Sequence, residues 1–192
     1  IIHERLYILE ASYFPAAIYL AEVENVGTEV VAFEAEKIEI LTESDAVVAT
    51  LDDIFNQGPP VLAPGDTGFV TTMMKLSDHP VESIDDMKGV KLYYTASLTD
   101  LQPTDTSQYE MSELEFVSEE ITFTGVVTNH SDERVTIPFF LLLRDTEGQI
   151  LIAEQGEVKN VKPGNEAKFA VEATVVDAAS TYEEYTVEYL FY

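Results

Sequence analysis

Asp and Glu number 36 against 10 Lys and Arg in 192 residues, a net charge of −26, and no basic run is present that would displace counterions from phosphates. Nucleic acid and anionic lipid are therefore poor partners. A 46% hydrophobic share supplies packed cores and argues against disorder, while the absence of Cys removes disulfides, thiolate chemistry and Cys-ligated zinc.

The chain opens on Arg5–Leu9, an entry strand, and on Ile18–Asn25, which alternates apolar and polar residues and ends in a turn at Val26-Gly27. Val31–Leu41 reads as the next strand, followed by the polar turn Glu43-Ser44-Asp45 and a strand at Ala46-Val47-Val48. A loop holds Asn56-Gln57-Gly58-Pro59-Pro60, and Ala63-Pro64-Gly65-Asp66 forms a corner before the alternating strand Gly68–Thr72. Ser83–Lys88 is expected to make one helical turn, with Ser83 as N-cap and Gly89 as stop. Val90–Tyr94 closes this half as an aromatic-rich strand, and Thr99–Thr106 is polar, proline-bearing and poor in strand formers.

The same grammar then recurs. Tyr109–Phe116 enters, Ile121–Asn129 alternates and stops at His130-Ser131-Asp132, and Val135–Asp145 runs into a turn before Gln149–Ile152. Lys162-Pro163-Gly164-Asn165 repeats the Pro-Gly corner, Ala167–Glu172 alternates, and Val187–Tyr192 is the aromatic closing strand. Asn25 pairs with Asn129 at an offset of 104, which carries on without a gap through Glu43 and Glu147. At Pro64 and Pro163 the offset is 99, and the five-residue difference is assigned to the loop at 56–60. Period-two alternation with turns every 8 to 12 residues and an internal repeat predicts an all-β chain of two consecutive immunoglobulin-like antiparallel β-sandwich domains, residues 1–100 and 101–192.

A strand ending in Asn and a small polar turn, a strand running into Arg144-Asp145-Thr146-Glu147-Gly148-Gln149, then a Pro-Gly corner: this pattern resembles the small immunoglobulin-like modules of bacterial surface lipoproteins, including the FxLYD type. Leu141-Leu142-Leu143-Arg144-Asp145 stands where that motif lies, with Leu for its Phe and Arg for its Tyr. The resemblance implies an extracellular or cell-surface location. The longest apolar stretch, Ile137–Leu143, is far short of the roughly 20 residues that span a bilayer, so no membrane insertion by this segment is expected. The first residue is Ile1 and not Met, so any signal peptide or lipid anchor is expected upstream of it.

Candidate chemistry is sparse. The histidines are His3, His79 and His130, and His130-Ser131-Asp132 holds the residue types of a catalytic triad. Neighbours on a tight turn do not converge in series as a triad must, so a plain hairpin turn is expected. Asn129-His130-Ser131 also fits a glycosylation sequon. Asp45 with Asp52-Asp53, or Asp78 with Asp85-Asp86, would offer oxygens to calcium, but no Asp-x-Asp-x-Asp-Gly loop is present and solvated surface is the expected role. Tyr182, Tyr185, Tyr189 and Tyr192 cluster near the C-terminus; alternation places Tyr185, Val187, Tyr189 and Phe191 on one face as a core stripe. No catalytic, metal-binding or cofactor-binding residue is assigned. The expected function is that of a non-catalytic structural, adhesive or protein-binding module, with a small-ligand or calcium-binding receptor domain as the alternative.

Overall fold

A computed structural model describes residues 3–10, 15–52, 54, 56–75, 87, 89–173 and 184–192, and all regular structure among them is β-strand. The helical turn expected at 83–88 lies outside the described residues, apart from Met87, which is buried. The chain divides into two compact units, Ile1–Pro103 and Thr104–Tyr192.

The first unit contains β1 (His3–Glu10), β2 (Pro15–Glu24), β3 (Val31–Leu41), β4 (Val47–Leu51), β5 (Asn56–Gly58), β6 (Val61–Leu62), β7 (Thr67–Lys75) and β8 (Gly89–Leu98). One antiparallel sheet runs β1-β2-β7-β5; in the other, β4 and β6 line one side of β3 and β8 pairs along its opposite side. The second unit contains β9 (Tyr109–Val117), β10 (Thr122–Asn129), β11 (Val135–Arg144), β12 (Ile150–Val161), β13 (Glu166–Glu172) and β14 (Thr186–Phe191). Its sheets run β13-β10-β9 and β12-β11-β14. Each unit is thus sandwich-like: β1-β2-β7 matches β9-β10-β13 and β8-β3 matches β14-β11, with β4 and β6 standing where β12 does and β5 added at the first unit's edge.

Alternation explains the cores. In the first unit Tyr19, Ala21 and Val23 of β2 and Val70 of β7 meet Phe33, Ala35 and Ile38 of β3 and Leu62 of β6. In the second, Phe139 of β11 packs on Phe169 of β13 with ring centroids 4.8 Å apart. Both rings also lie over glycines on the neighbouring strand: Phe169 faces Gly125, and Phe139 faces Gly156. A Cβ at Gly125 would fall 2.7 Å from the Phe169 ring, and one at Gly156 would run into the Phe139 ring. Glycine is required there by close packing and not by backbone conformation.

The gapless offset needs correction. Phe33 and Ala35 are buried, and so are Ile38 and Ile40, so the buried phase of β3 shifts by one residue between Ala35 and Ile38. Opposite β8, the register passes from Ala35 with Tyr94 to Lys37 with Tyr93, leaving Glu36 as a bulge. No such shift separates β11 from β14. The correspondence is therefore 104 up to Ala35 and Phe139, and 103 from Ile38 and Leu141 onward. The turns agree with it: the Thr42 Oγ1 accepts from the Ser44 and Ala46 N–H groups, as the Asp145 Oδ1 accepts from those of Glu147 and Gln149. One inserted residue thus sits in the bulge, and the remainder lies between β4 and the Pro-Gly corner.

The two matching asparagines, at the ends of β2 and β10, are buried and fully bonded. Asn25 Nδ2 donates to the carbonyls of Glu29 (2.9 Å) and Leu62 (2.9 Å), and its Oδ1 accepts from the Gly27 N–H (3.0 Å). Asn129 repeats this with Glu133 (2.8 Å), Val161 (2.9 Å) and Ser131 (2.9 Å). Their backbones hold the Pro-Gly corner: Gly65 N–H donates to Asn25 O and Asn25 N–H to Asp66 O, as Gly164 N–H donates to Asn129 O and Asn129 N–H to Asn165 O. Gly65 and Gly164 have φ of 86° and 67°, the left-handed position of a turn with Pro before Gly.

Replacing either Asn by Ala leaves two carbonyls and one N–H without their partner, the carbonyl of Leu62 or Val161 being buried, where an unsatisfied group costs about 1–3 kcal/mol. Calorimetry of Asn25→Ala is expected to lower the transition of the first unit alone, and Asn129→Ala that of the second alone; a joint shift in either variant would refute the assignment. Asn129→Asp should be worse than Ala at neutral pH, because a carboxylate would face two carbonyls. Its folded pKa would then be raised, so stability present at low pH is lost as pH rises. Gly156→Val is expected to destabilise the second unit by about 1–3 kcal/mol through overpacking, read from urea unfolding.

Candidate functional site

Among the described residues, the end of the first unit's sandwich where β2 gives way to its turn holds a concavity. A cleft of about 160 Å³ lies there, with Val23, Val31, Phe33 and Leu62 on its walls and Tyr94 and Ala96 of β8 at its mouth. Phe33 and Tyr94 meet with centroids 5.8 Å apart, yet Tyr94 is 51% exposed. Two further apolar residues stand in solvent close by in the fold: Val26, in the turn that lines the cleft, is 85% exposed, and Leu98, opposite Val31 in the ladder, is 76% exposed. Alternation along β8 turns Tyr94, Ala96 and Leu98 to the same side. Glu24 is the charged residue among those lining the cleft.

The second unit has the same end closed. Tyr94 lies opposite Ala35, as Phe191 lies opposite Phe139, which makes Phe191 its counterpart. Tyr109, the first residue of β9 and opposite Asn129, sets its ring edge-on to Phe191 at 5.8 Å, and Gln108 O accepts from the His130 N–H at 2.8 Å.

On the outer face of the first unit's second sheet, Lys37 Nζ pairs with Glu39 Oε1 at 2.7 Å, and the Tyr93 hydroxyl donates to Glu39 Oε2 at 2.7 Å. The Lys37 and Lys91 ammoniums stand 4.2 and 4.6 Å from the centre of the Tyr93 ring. The bond from Lys37, and next that from Tyr93, holds the Glu39 carboxyl below its ordinary range, and the Lys37 ammonium is raised chiefly by its bond to Glu39. This is a satisfied surface network with every member partnered by another.

The sequence candidates are scattered. His130 Nε2 pairs with Glu110 Oε2 at 2.9 Å in solvent, while the Ser131 hydroxyl donates to Glu133 O, so histidine and serine point to different partners. Asp45 occupies the β3–β4 turn at φ 60°, and Asp52 is exposed. Asp53, Asp78, His79, Asp85, Asp86 and Tyr182 lie outside the described residues, and nothing is described of the His3 side chain. No group of three or more His, Asp or Glu side chains suited to a metal ion occurs among the described residues. Of the C-terminal stripe, Phe191 is buried, Tyr185 packs edge-on to Phe116 at 5.8 Å, and Tyr189 is 43% exposed, so the stripe is core at its ends and surface between. The cleft itself was not anticipated. Its signal was the run Tyr94–Leu98, which alternates apolar and small polar residues without a charge.

No protein-family model matches the chain, and no curated protein does. Among solved structures, a Bacteroides uniformis beta-glucuronidase is similar at 16% identity and a TM-score of 0.25, over 84% of this chain and 22% of that one. A beta-glucuronidase from glycoside hydrolase family 2 is similar at 11% identity and a TM-score of 0.25, over 83% of this chain and 20% of that one. The chain spans about a fifth of those enzymes' length, and at such scores the likeness defines no shared activity. The class stands on the strands alone: an all-β chain of antiparallel, sandwich-like units.

Tyr93→Phe is expected to raise the Glu39 carboxyl toward its ordinary range in an NMR titration, since one of the two bonds lowering it is gone. Because a lowered carboxyl stabilises the fold above its unfolded value and loses that as pH falls toward its folded value, the variant should lose less stability on acidification, with the loss complete at a higher pH.

Proposed function

We propose that this chain is a non-catalytic binding module of a bacterial surface protein, built from two consecutive immunoglobulin-like sandwiches, with the cleft end of the first unit as its binding surface. The observation that carries the reading is the exposed apolar rim of Val26, Tyr94 and Leu98 around an open cleft on an otherwise acidic chain. Scattered surface apolar residues are ordinary, but a group around a concavity with buried aromatic walls is the form that protein-recognition surfaces take. The matching strand order of the two units and their twin asparagine corners support the tandem reading. The module's role on this view is to present that end to a partner, the second unit acting as spacer or second binding unit.

A benzophenone side chain placed at Leu98 or Val26 tests the reading, with one at the exposed Lys168 as control. Irradiation on intact bacterial surfaces is expected to yield discrete adducts from the first two positions and none from the control. Equal labelling at all three, or none anywhere, would count against the proposal.

A further inference from the structure

The binding-module reading leaves the partner's chemistry open, and the inference here rests on that reading. We infer that the free edge of β8 receives an extended segment of a basic partner protein, which adds a strand to the sheet and seats one aromatic side chain in the cleft.

The edge is the first ground. Among the described strands β8 pairs with β3 alone, so one side of its backbone carries no partner strand. Folded proteins usually blunt such an edge with Lys, Pro or a bulge. Thr95-Ala96-Ser97-Leu98 has none of these: all four are exposed, uncharged and in unbroken register with β3. Pairing an extended segment there satisfies backbone donors and acceptors and leaves alternate side chains facing the cleft.

The size of the cleft is the second. At about 160 Å³ it falls below the roughly 300 Å³ at which small-molecule sites begin, and suits a single side chain. The second unit shows which kind of side chain packs at this place, because the counterpart of Tyr94, Phe191, is met edge-on by Tyr109 of β9, which reaches it from the opposite sheet. An aromatic residue on an added strand would supply the same ring-on-ring contact to Tyr94 and Phe33, approached from the β8 edge.

Charge selects between partners. A second copy would bring another −26 to the same edge and a second Glu24 to the cleft, so self-pairing is opposed. A segment with Lys or Arg flanking its aromatic residue is attracted instead, with Glu24 beside the cleft and Glu34 opposite Thr95 to meet it.

The test uses the full chain and a fluorescein-labelled peptide of nine residues, alternating Thr and Val with Tyr at its centre and Lys at both ends. Binding is read by anisotropy and its place by amide exchange. The expected result is saturable binding with slowed exchange at Thr95–Leu98, weakened about tenfold or more when the peptide Tyr becomes Ala. Changing its Lys to Glu, or N-methylating alternate residues, should weaken it likewise. On the protein side, Tyr94→Ala and Leu98→Lys should each weaken binding; the N-methylated peptide tests the inference on unaltered protein if either variant folds poorly. Absence of binding at millimolar peptide, indifference to N-methylation, protection elsewhere, or a dimer of this chain protected at β8 would each overturn it. If the peptide fails while benzophenone adducts at Leu98 persist, strand addition falls and the binding-module reading stands; if the adducts fail as well, both fall.

Discussion

Each unit hangs on one buried amide. The side chain of Asn25 or Asn129 sits where the strand ends, the polar turn begins and the Pro-Gly corner returns, and it ties all three through both of its polar atoms while its own backbone is bonded to the corner. An amide is the right group because two donors must reach two carbonyls and one acceptor must face an N–H; Asp has the acceptor without the donors, and an apolar residue has neither. With the turn and the corner fixed relative to one another, the strands entering them are fixed in register, and the inward faces follow from alternation.

What distinguishes the units is how each departs from that shared frame. A bulge at Glu36 in the first puts Lys37 and Glu39 on the outer face, where they join Tyr93 and Lys91. In the second, one irregularity lies in β9, at Glu113 with φ of 52°, between register positions Ser112–Val126 and Glu115–Thr124, and two more lie between β11 and β12. Bulges re-aim side chains without unmaking a sheet, so the same topology carries different side chains on its faces in the two units.

Much of the fold was legible in the residues. The alternation of Ile18–Asn25 and Ile121–Asn129, the two Pro-Gly corners and the pairing of Asn25 with Asn129 all survive as strands and turns at those places. The bulge left a mark that the repeat alignment passed over: the successive charged residues Glu36-Lys37 break the alternation between Ala35 and Ile38. Alternation alone could not separate Tyr189, which stands partly in solvent, from Phe191, which is buried; both have the same parity, and depth depends on Tyr109 and Phe139 arriving from distant positions. The cleft was hidden for the same reason, since concavity arises from β2, β3, β6 and β8 together.

The central strands are unequally clothed. β11 buries Phe140 and Leu142 as well as Phe139, Leu141 and Leu143, with Tyr192 stacked near Phe140 at 5.1 Å, whereas β3 leaves Lys37 and Glu39 on the corresponding face. Each large apolar side chain fully withdrawn from water contributes about 1.5–3 kcal/mol, so the second unit has the heavier core along this strand. Along its central strand, then, the first unit exchanges apolar burial for the charged network of Lys37, Glu39 and Tyr93, and the second keeps its contribution from water exclusion.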